Sequence, residues 1–292
     1  MKKGKPINSF RDQANKWIGA AQSRRSQNKS FNDRTLVLAD NWDGSVQQFY
    51  HFFFGYYIPL NLWLDKTKAA KIALRDCGPM NPWLELLLDK TSIEVIPPGT
   101  ALHVVIGKRM KLAVLAGMDN PQNFNRRNLI AGATSVRNRI ELPLIRRGMN
   151  ERILIIDRAT SEGFYHEHGS ETHMSGKERR HVPNLGQFKE AIDSERNVEI
   201  IDFAQLTPQE QIRKAENATV LIGQHGAGLA HMIWLAPGSH VVEIAPPLPS
   251  QVEDIFQKLA ITLGHTYQRV RQESVHATVE IDLLASALNN KP

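Results

Sequence analysis

The sequence predicts an α/β protein built on parallel sheets in two halves, and three observations carry that prediction. Short apolar runs alternate with stretches of helical composition, the pattern of βαβ units joined by right-handed crossovers. Several of these runs, such as RILIIDR at 152–158, lack polar alternation, as expected of strands covered on both faces. The chain has 292 residues, 41% hydrophobic and 23% charged, which suits a globular protein with room for two ordinary cores.

The elements follow in order. Residues 1–34 form a basic N-terminal segment in which nine Lys and Arg face only Asp12 and Asp33, part of a net charge of +6. Two readings fit it, a solvated terminus or peripheral contact with an anionic membrane. Nucleic acid is not an expected partner, because no zinc-finger, RNP-like or basic-zipper pattern accompanies the charge. Residues 35–147 form the first half, in which TLVLAD, KIALRDCG, SIEVIPPGT and MKLAVLAG read as strands. Between them, SVQQFYHFFFGYYIPLNLWLDKTKAA reads as a long apolar helix broken or kinked at Pro59, and NPWLELLLDKT as a helix opened by Pro82. NFNRRNLIAGATSVRNRIELPLI closes this half as a helix, and the joint falls near 144–151.

Residues 148–292 are more regular, with strands RILIIDR, VEIIDF, TVLIG and HVVEIAP. Helices are expected at NLGQFKEAIDSE, AGLAHMIWLA, SQVEDIFQKLAITLG and TPQEQIRKAENA, the last opened by Thr207, Pro208 and Glu210. The single Cys77 forms no internal disulfide, and no apolar run reaches the roughly 18 residues of a membrane span. No signal-peptide pattern follows the basic start, so the cytoplasm, with the inner face of the membrane as an option, is the expected location. The polar loop 161–182 holds His166, His168, His173 and His181. Zinc ligation by this loop lacks any Cys partner; closure over a ligand, or plain solvation, fits better.

The stretch GQHGAGLAHMIWLAPGSHVVEI, residues 223–244, carries the chemistry. A strand ends near Gly223 and a helix begins near Gly228, so Gly226, Ala227, Gly228 and Leu229 form a strand-to-helix turn at the carboxyl edge of a sheet. Ligands of open α/β sheets bind there, and free N–H groups at a helix N-terminus suit phosphate. His225 is placed to donate to the same anion. A P-loop would need Lys and Ser or Thr after Gly228, a dinucleotide fingerprint would need Gly or Ala at His231, and no nucleophile elbow is present. The alternative is a tight turn over a buried His225.

QHGAGLAHMIWLAPGSHVVEI resembles the signature of glycosyltransferase family 61, an H-G-A-G-L turn followed by an apolar helix, a P-G turn and a strand ending V-x-E. RILIIDR, RRHVPN and IDFAQLTPQEQIRKAENATVLIG extend the likeness over about residues 151–247. In the first half, FYHFFFGYYIPL resembles the family's His-containing helix; there the family tends to have an acid four residues after the His, and this chain has Gly55. The resemblance implies a GT-B-type fold of two Rossmann-like domains facing a cleft, with an acceptor-side domain at 35–147 and a nucleotide-sugar donor domain at 148–292. It implies an inverting glycosyltransferase that moves a sugar from a nucleotide-diphosphate donor to a glycan acceptor without a metal or other cofactor. Surface polysaccharide synthesis is the expected setting. By matching position, Arg158, Arg180 (or its neighbour Arg179) and Asn184 join His225, Gly226, Ala227, Gly228, Leu229 and Glu243 around the donor. Glu243 is expected to accept from ribose hydroxyls, Asn184 either to contact the donor or to cap a helix, and Gln211 either to contact it or to lie on an exposed helix face.

Inversion needs a general base, for which His51 and Asp43 are the candidates and Asp40 a third. His51 among Phe and Tyr also suits a packed core histidine. No D-x-D pair exists to hold Mg²⁺ or Mn²⁺, which agrees with guanidinium groups neutralising the leaving diphosphate. A non-catalytic nucleotide-sugar or polyanion binding module is the alternative.

Overall fold

A computed structural model of the chain describes residues 33–42, 44–87, 92–97, 111–143, 151–158, 176–193 and 196–289. The basic segment up to residue 32, Asp43, His166, His168 and His173 lie outside the described residues.

The chain forms two parallel sheets. The first contains β1 (Thr35–Asp40), β2 (Lys71–Arg75), β3 (Ser92–Ile96) and β4 (Lys111–Ala116) in the order β3-β2-β1-β4. The second contains β5 (Arg152–Ile156), β6 (Asn197–Ile201), β7 (Val220–Gln224), β8 (His240–Ala245) and β9 (Thr266–Arg271) in the order β6-β5-β7-β8-β9. Every pairing is parallel, with Val37 opposite Ala113 and Ile155 opposite Ile222, for example. The strand order therefore reverses direction at β1/β4 in the first sheet and at β5/β7 in the second. Crevices open at such switch points beyond the carboxyl ends of the strands.

The helix after β1 is built from α1 (Phe49–Phe52), a π-helical turn (Phe53–Tyr57) and α2 (Ile58–Thr67). Pro59 follows the π-helical turn inside a continuous helix, so the expected break takes the form of a wide turn that accommodates the missing N–H. Phe52, Phe53, Phe54, Tyr56 and Tyr57 are all buried, and their rings join the two halves through one core. Phe53 packs 5.6 Å from Trp234, and Tyr50 5.8 Å from Phe256, centroid to centroid. The short helix α3 (Asn81–Glu85) adds Trp83 and Leu84 to this core, and α4 (Arg126–Arg139) adds an Arg137–Glu216 ion pair to the same contact.

After β5 comes the short helix α5 (Gly176–Arg179), and the second sheet has its own outer core of Ile153, Ile155, Val220, Ile222, Val242 and Ile244 beneath α6 (Leu185–Asp193) and α10 (Ile281–Asn289). Thr207 opens α7 (Pro208–Asn217) with the expected capping box, its side chain paired reciprocally with Glu210. The run AGLAHMIWLA differs from expectation: Ala227–Trp234 is a 3₁₀-helix. Its tighter wind carries Leu229, Ala230, Met232 and Trp234 into the shared core within a short span. SQVEDIFQKLAITLG divides into α8 (Ser250–Glu253) and α9 (Ile255–Leu263).

Candidate functional site

The β5/β7 switch point opens into a cavity of about 550 Å³, a size typical of small-molecule sites. Its walls come from both halves: Gln48, Phe49, Met80 and Trp83 on one side, and Arg158, Arg179, Gln224, Ala227, Gly228 and His231 on the other. Beyond β5, the Arg158 guanidinium donates to the His225 carbonyl at 2.8 Å, and Arg180 donates to the same oxygen at 2.8 Å. Two of the predicted residues thus converge on the predicted turn. Arg180 is buried against the backbone, whereas its neighbour Arg179 lines the cavity. The two neighbours thus take different positions, Arg180 on the backbone of the turn and Arg179 on the cavity wall.

Burial, then repulsion from Arg180 and Arg179, pushes Arg158 down to about 9. Burial and Arg179 push Arg180 down to about 10, against a pull from Glu243. A guanidinium keeps its proton in practice, so these directions mark buried positive charge set beside like charge. An anion would relieve it.

Gly226 is required at the turn for a definite reason. Its φ is +153°, and a Cβ there would overlap the Arg158 guanidinium. Gly228 has no positive φ; a Cβ there would press on Ile156 at 3.0 Å and narrow the cavity. Ala227 and Gly228 line the cavity, and their N–H groups, in the first turn of the 3₁₀-helix, lack intrahelical acceptors.

Five sequence expectations are corrected, wholly or in one of their alternatives, by packing. Glu243 is completely buried; its oxygens take His225 Nδ1 at 2.5 Å and the Tyr267 hydroxyl, with Arg269 3.5 Å away, so it buttresses the turn and presents nothing to a ribose. His225 is also buried, its ring against Phe256. Because a carboxylate only accepts, His225 Nδ1 carries the proton, and burial holds the ring neutral by lowering its pKa; its side chain is no phosphate donor in this state. Leu229 is a core residue with no exposure. Asn184 neither caps a helix with its side chain nor reaches the cavity: it gives Nδ2 to the Val279 carbonyl at 2.7 Å and takes the Val279 N–H at 3.0 Å. Gln211 is buried rather than on an exposed face, bonds the Leu206 carbonyl at 2.9 Å and lines the cavity.

At the β1/β4 switch point, His51 Nδ1 lies 2.9 Å from Asp119 Oδ2. The Asp119 carboxylate is fully buried, and its other oxygen accepts the Trp42 N–H at 2.9 Å. His51 keeps 18% of its side chain exposed, so it is not a sealed core histidine. Asp40 ends β1 exposed. Asp119 escaped the sequence reading because it sits in an ordinary post-strand turn, 68 residues from its partner. The available signal was Gly55: a Cβ there would lie 3.1 Å from the Asp119 carboxyl. His231 was also missed; it is stacked between Phe49 (4.4 Å) and Phe203 (3.8 Å), and burial lowers it to about 3.

The chain is thus a parallel α/β protein whose cavity, at a strand-order switch point, gathers guanidinium groups at a glycine turn. The profile of Glycosyltransferase 61 matches residues 49–242, about two thirds of the chain, and the chain belongs to that family. It is also similar to the beta-1,2-xylosyltransferase RCN11 of Oryza sativa subsp. japonica, 34% identical over 77 residues. That match covers 24% of this chain and 14% of the relative.

Proposed function

We propose that the protein is an inverting glycosyltransferase of GT-B type that moves a sugar from a nucleotide-diphosphate donor to a glycan acceptor. The convergence of Arg158 and Arg180 on the His225 carbonyl, at the mouth of the cavity, carries the reading. The diphosphate is held by Arg158, Arg179 and the N–H groups of Ala227 and Gly228. The acceptor approaches from the first sheet, and its hydroxyl oxygen attacks the anomeric carbon as the nucleoside diphosphate departs with the bonding pair. His51 takes the hydroxyl proton at Nε2, and the guanidinium groups offset the charge on the leaving group. The His51–Asp119 pair favours this over a binding module without catalysis.

Among the described residues no group of three His, Cys, Asp or Glu is arranged to hold a metal ion. Guanidinium neutralisation supports metal-independent transfer. The test is a thermal-shift screen of nucleoside diphosphates, in which a ligand at 100 times its Kd stabilises by about 2.7 kcal/mol, followed by transfer assays in excess EDTA. The rice relative's name makes nucleotide-activated xylose the first donor to try. A nucleoside diphosphate should raise the Tm, and transfer should persist with chelator. Transfer that disappears with EDTA and returns with Mn²⁺ contradicts the metal-independent mechanism.

A further inference from the structure

The His51–Asp119 pair is built with more care than packing requires. Three separate segments give up a side chain around it. A Cβ on Gly44, at φ +109°, would overlap the imidazole edge of His51. One on Gly55 would meet Asn41 Cβ at 2.7 Å and the Asp119 carboxyl at 3.1 Å. One on Gly117 would meet Asp119 Oδ1 at 2.8 Å. The loop after β4 is tied down by the Met118 N–H on the Phe54 carbonyl at 2.9 Å, and by the Tyr50 hydroxyl on the Asp119 carbonyl at 2.8 Å. The carboxylate cannot swing away, because Trp42 N–H occupies its second oxygen.

We propose that Asp119 is the positioning residue for His51, fixing the imidazole as its Nδ1–H tautomer so that Nε2 keeps a lone pair for the acceptor proton. An ionised carboxylate offers no hydrogen, so the shared proton belongs to Nδ1. The kinetic consequence rests on the transferase reading above; the tautomer does not.

The two substitutions Asp119→Asn and Asp119→Ala in the full chain separate this role from a structural one. Asparagine can keep its oxygen on Trp42 N–H and turn its NH₂ toward His51, which forces the Nε2–H tautomer. Alanine leaves the ring free to adopt either. Asp119→Asn should therefore be the slower enzyme, its turnover down by about 10³–10⁴-fold, the scale seen when an orienting carboxylate becomes an amide. Asp119→Ala should lose less, and UDP, the nucleoside diphosphate used as probe, should bind all three proteins within about twofold. A purely structural role reverses the order, with alanine worse in Tm and turnover together. The ¹⁵N shifts of the His51 ring give a readout independent of activity: Nδ1 protonated in the parent chain, Nε2 protonated in Asp119→Asn. Persistence of the Nδ1–H tautomer in Asp119→Asn overturns the proposal, as does Asp119→Asn turning over faster than Asp119→Ala. Failure of the parent chain to bind UDP, or any other nucleoside diphosphate, instead counts against the donor site, and the ring shifts still decide the part played by Asp119.

Discussion

At the β5/β7 switch point the chain gathers Arg158, Arg179 and Arg180 around a glycine turn, whereas at β1/β4 it buries one carboxylate against one imidazole. Both sites occupy the same topological position in their sheets, yet they solve opposite electrostatic problems. The arginine cluster sets like charges side by side, and burial first, then that repulsion, lowers Arg158 and Arg180. Asp119, by contrast, has both oxygens engaged. On the proposed reading, one place receives an anion and the other moves a proton. The difference shows that the fold supplies positions, while local neutralisation decides what each can do.

The comparison breaks most visibly at the glycines. Gly226→Ala puts a methyl group into the Arg158 guanidinium and strains a backbone at φ +153°. It should destabilise the chain by about 1–3 kcal/mol and weaken nucleoside-diphosphate binding by about 100-fold, the scale of a lost charge-assisted contact. Gly55→Ala should do the converse, leaving that affinity within about twofold while turnover falls as Asp119 is displaced. Calorimetric titration and a transfer assay on the two variants check the contrast. Equal loss of binding in both would merge the two sites into one.

Protonation sharpens it further. His231 is held neutral at about 3, against an ordinary value of 6.5, by burial between Phe49 and Phe203. A depressed histidine contributes stability that is fully present above pH 6.5 and is lost as the pH falls toward 3, because the unfolded chain gains the proton first. Between pH 8 and 5 the loss is about 2 kcal/mol, as the slope approaches 1.36 kcal/mol per unit below pH 6.5. His231→Phe keeps the ring stack and removes the titration. Denaturant melts at both pH values should show the parent chain losing about 2 kcal/mol more than the variant; parallel losses would assign the acid sensitivity elsewhere.

Much of this architecture was legible in the sequence because it is local. The unbroken runs of β5, β7 and β8, the Thr207 capping box and the H-G-A-G-L turn each announce themselves within a few residues. Edge strand β9, TYQRVR, did not, since Gln268, Arg269 and Arg271 make it read as a polar segment. Glu243 and Asn184 matched a pattern, but their roles depend on Tyr267 and Val279, partners from distant segments that no spacing rule connects. Asp119 was silent for the same reason. The void it fills was written in the sequence as Gly55, and only the three-dimensional register of β1 and β4 shows what fills it.

Donor binding and proton transfer are separated most directly by titrating a nucleoside diphosphate into Arg158→Ala and His51→Ala side by side, with turnover measured on the same preparations. Arg158→Ala should bind about 10- to 150-fold more weakly, the equivalent of roughly 1.5–3 kcal/mol. His51→Ala should bind within about twofold of the parent chain and lose turnover by about 10²–10⁴-fold. An Arg158→Ala chain that binds as tightly as the parent would contradict the placement of the donor at β5/β7.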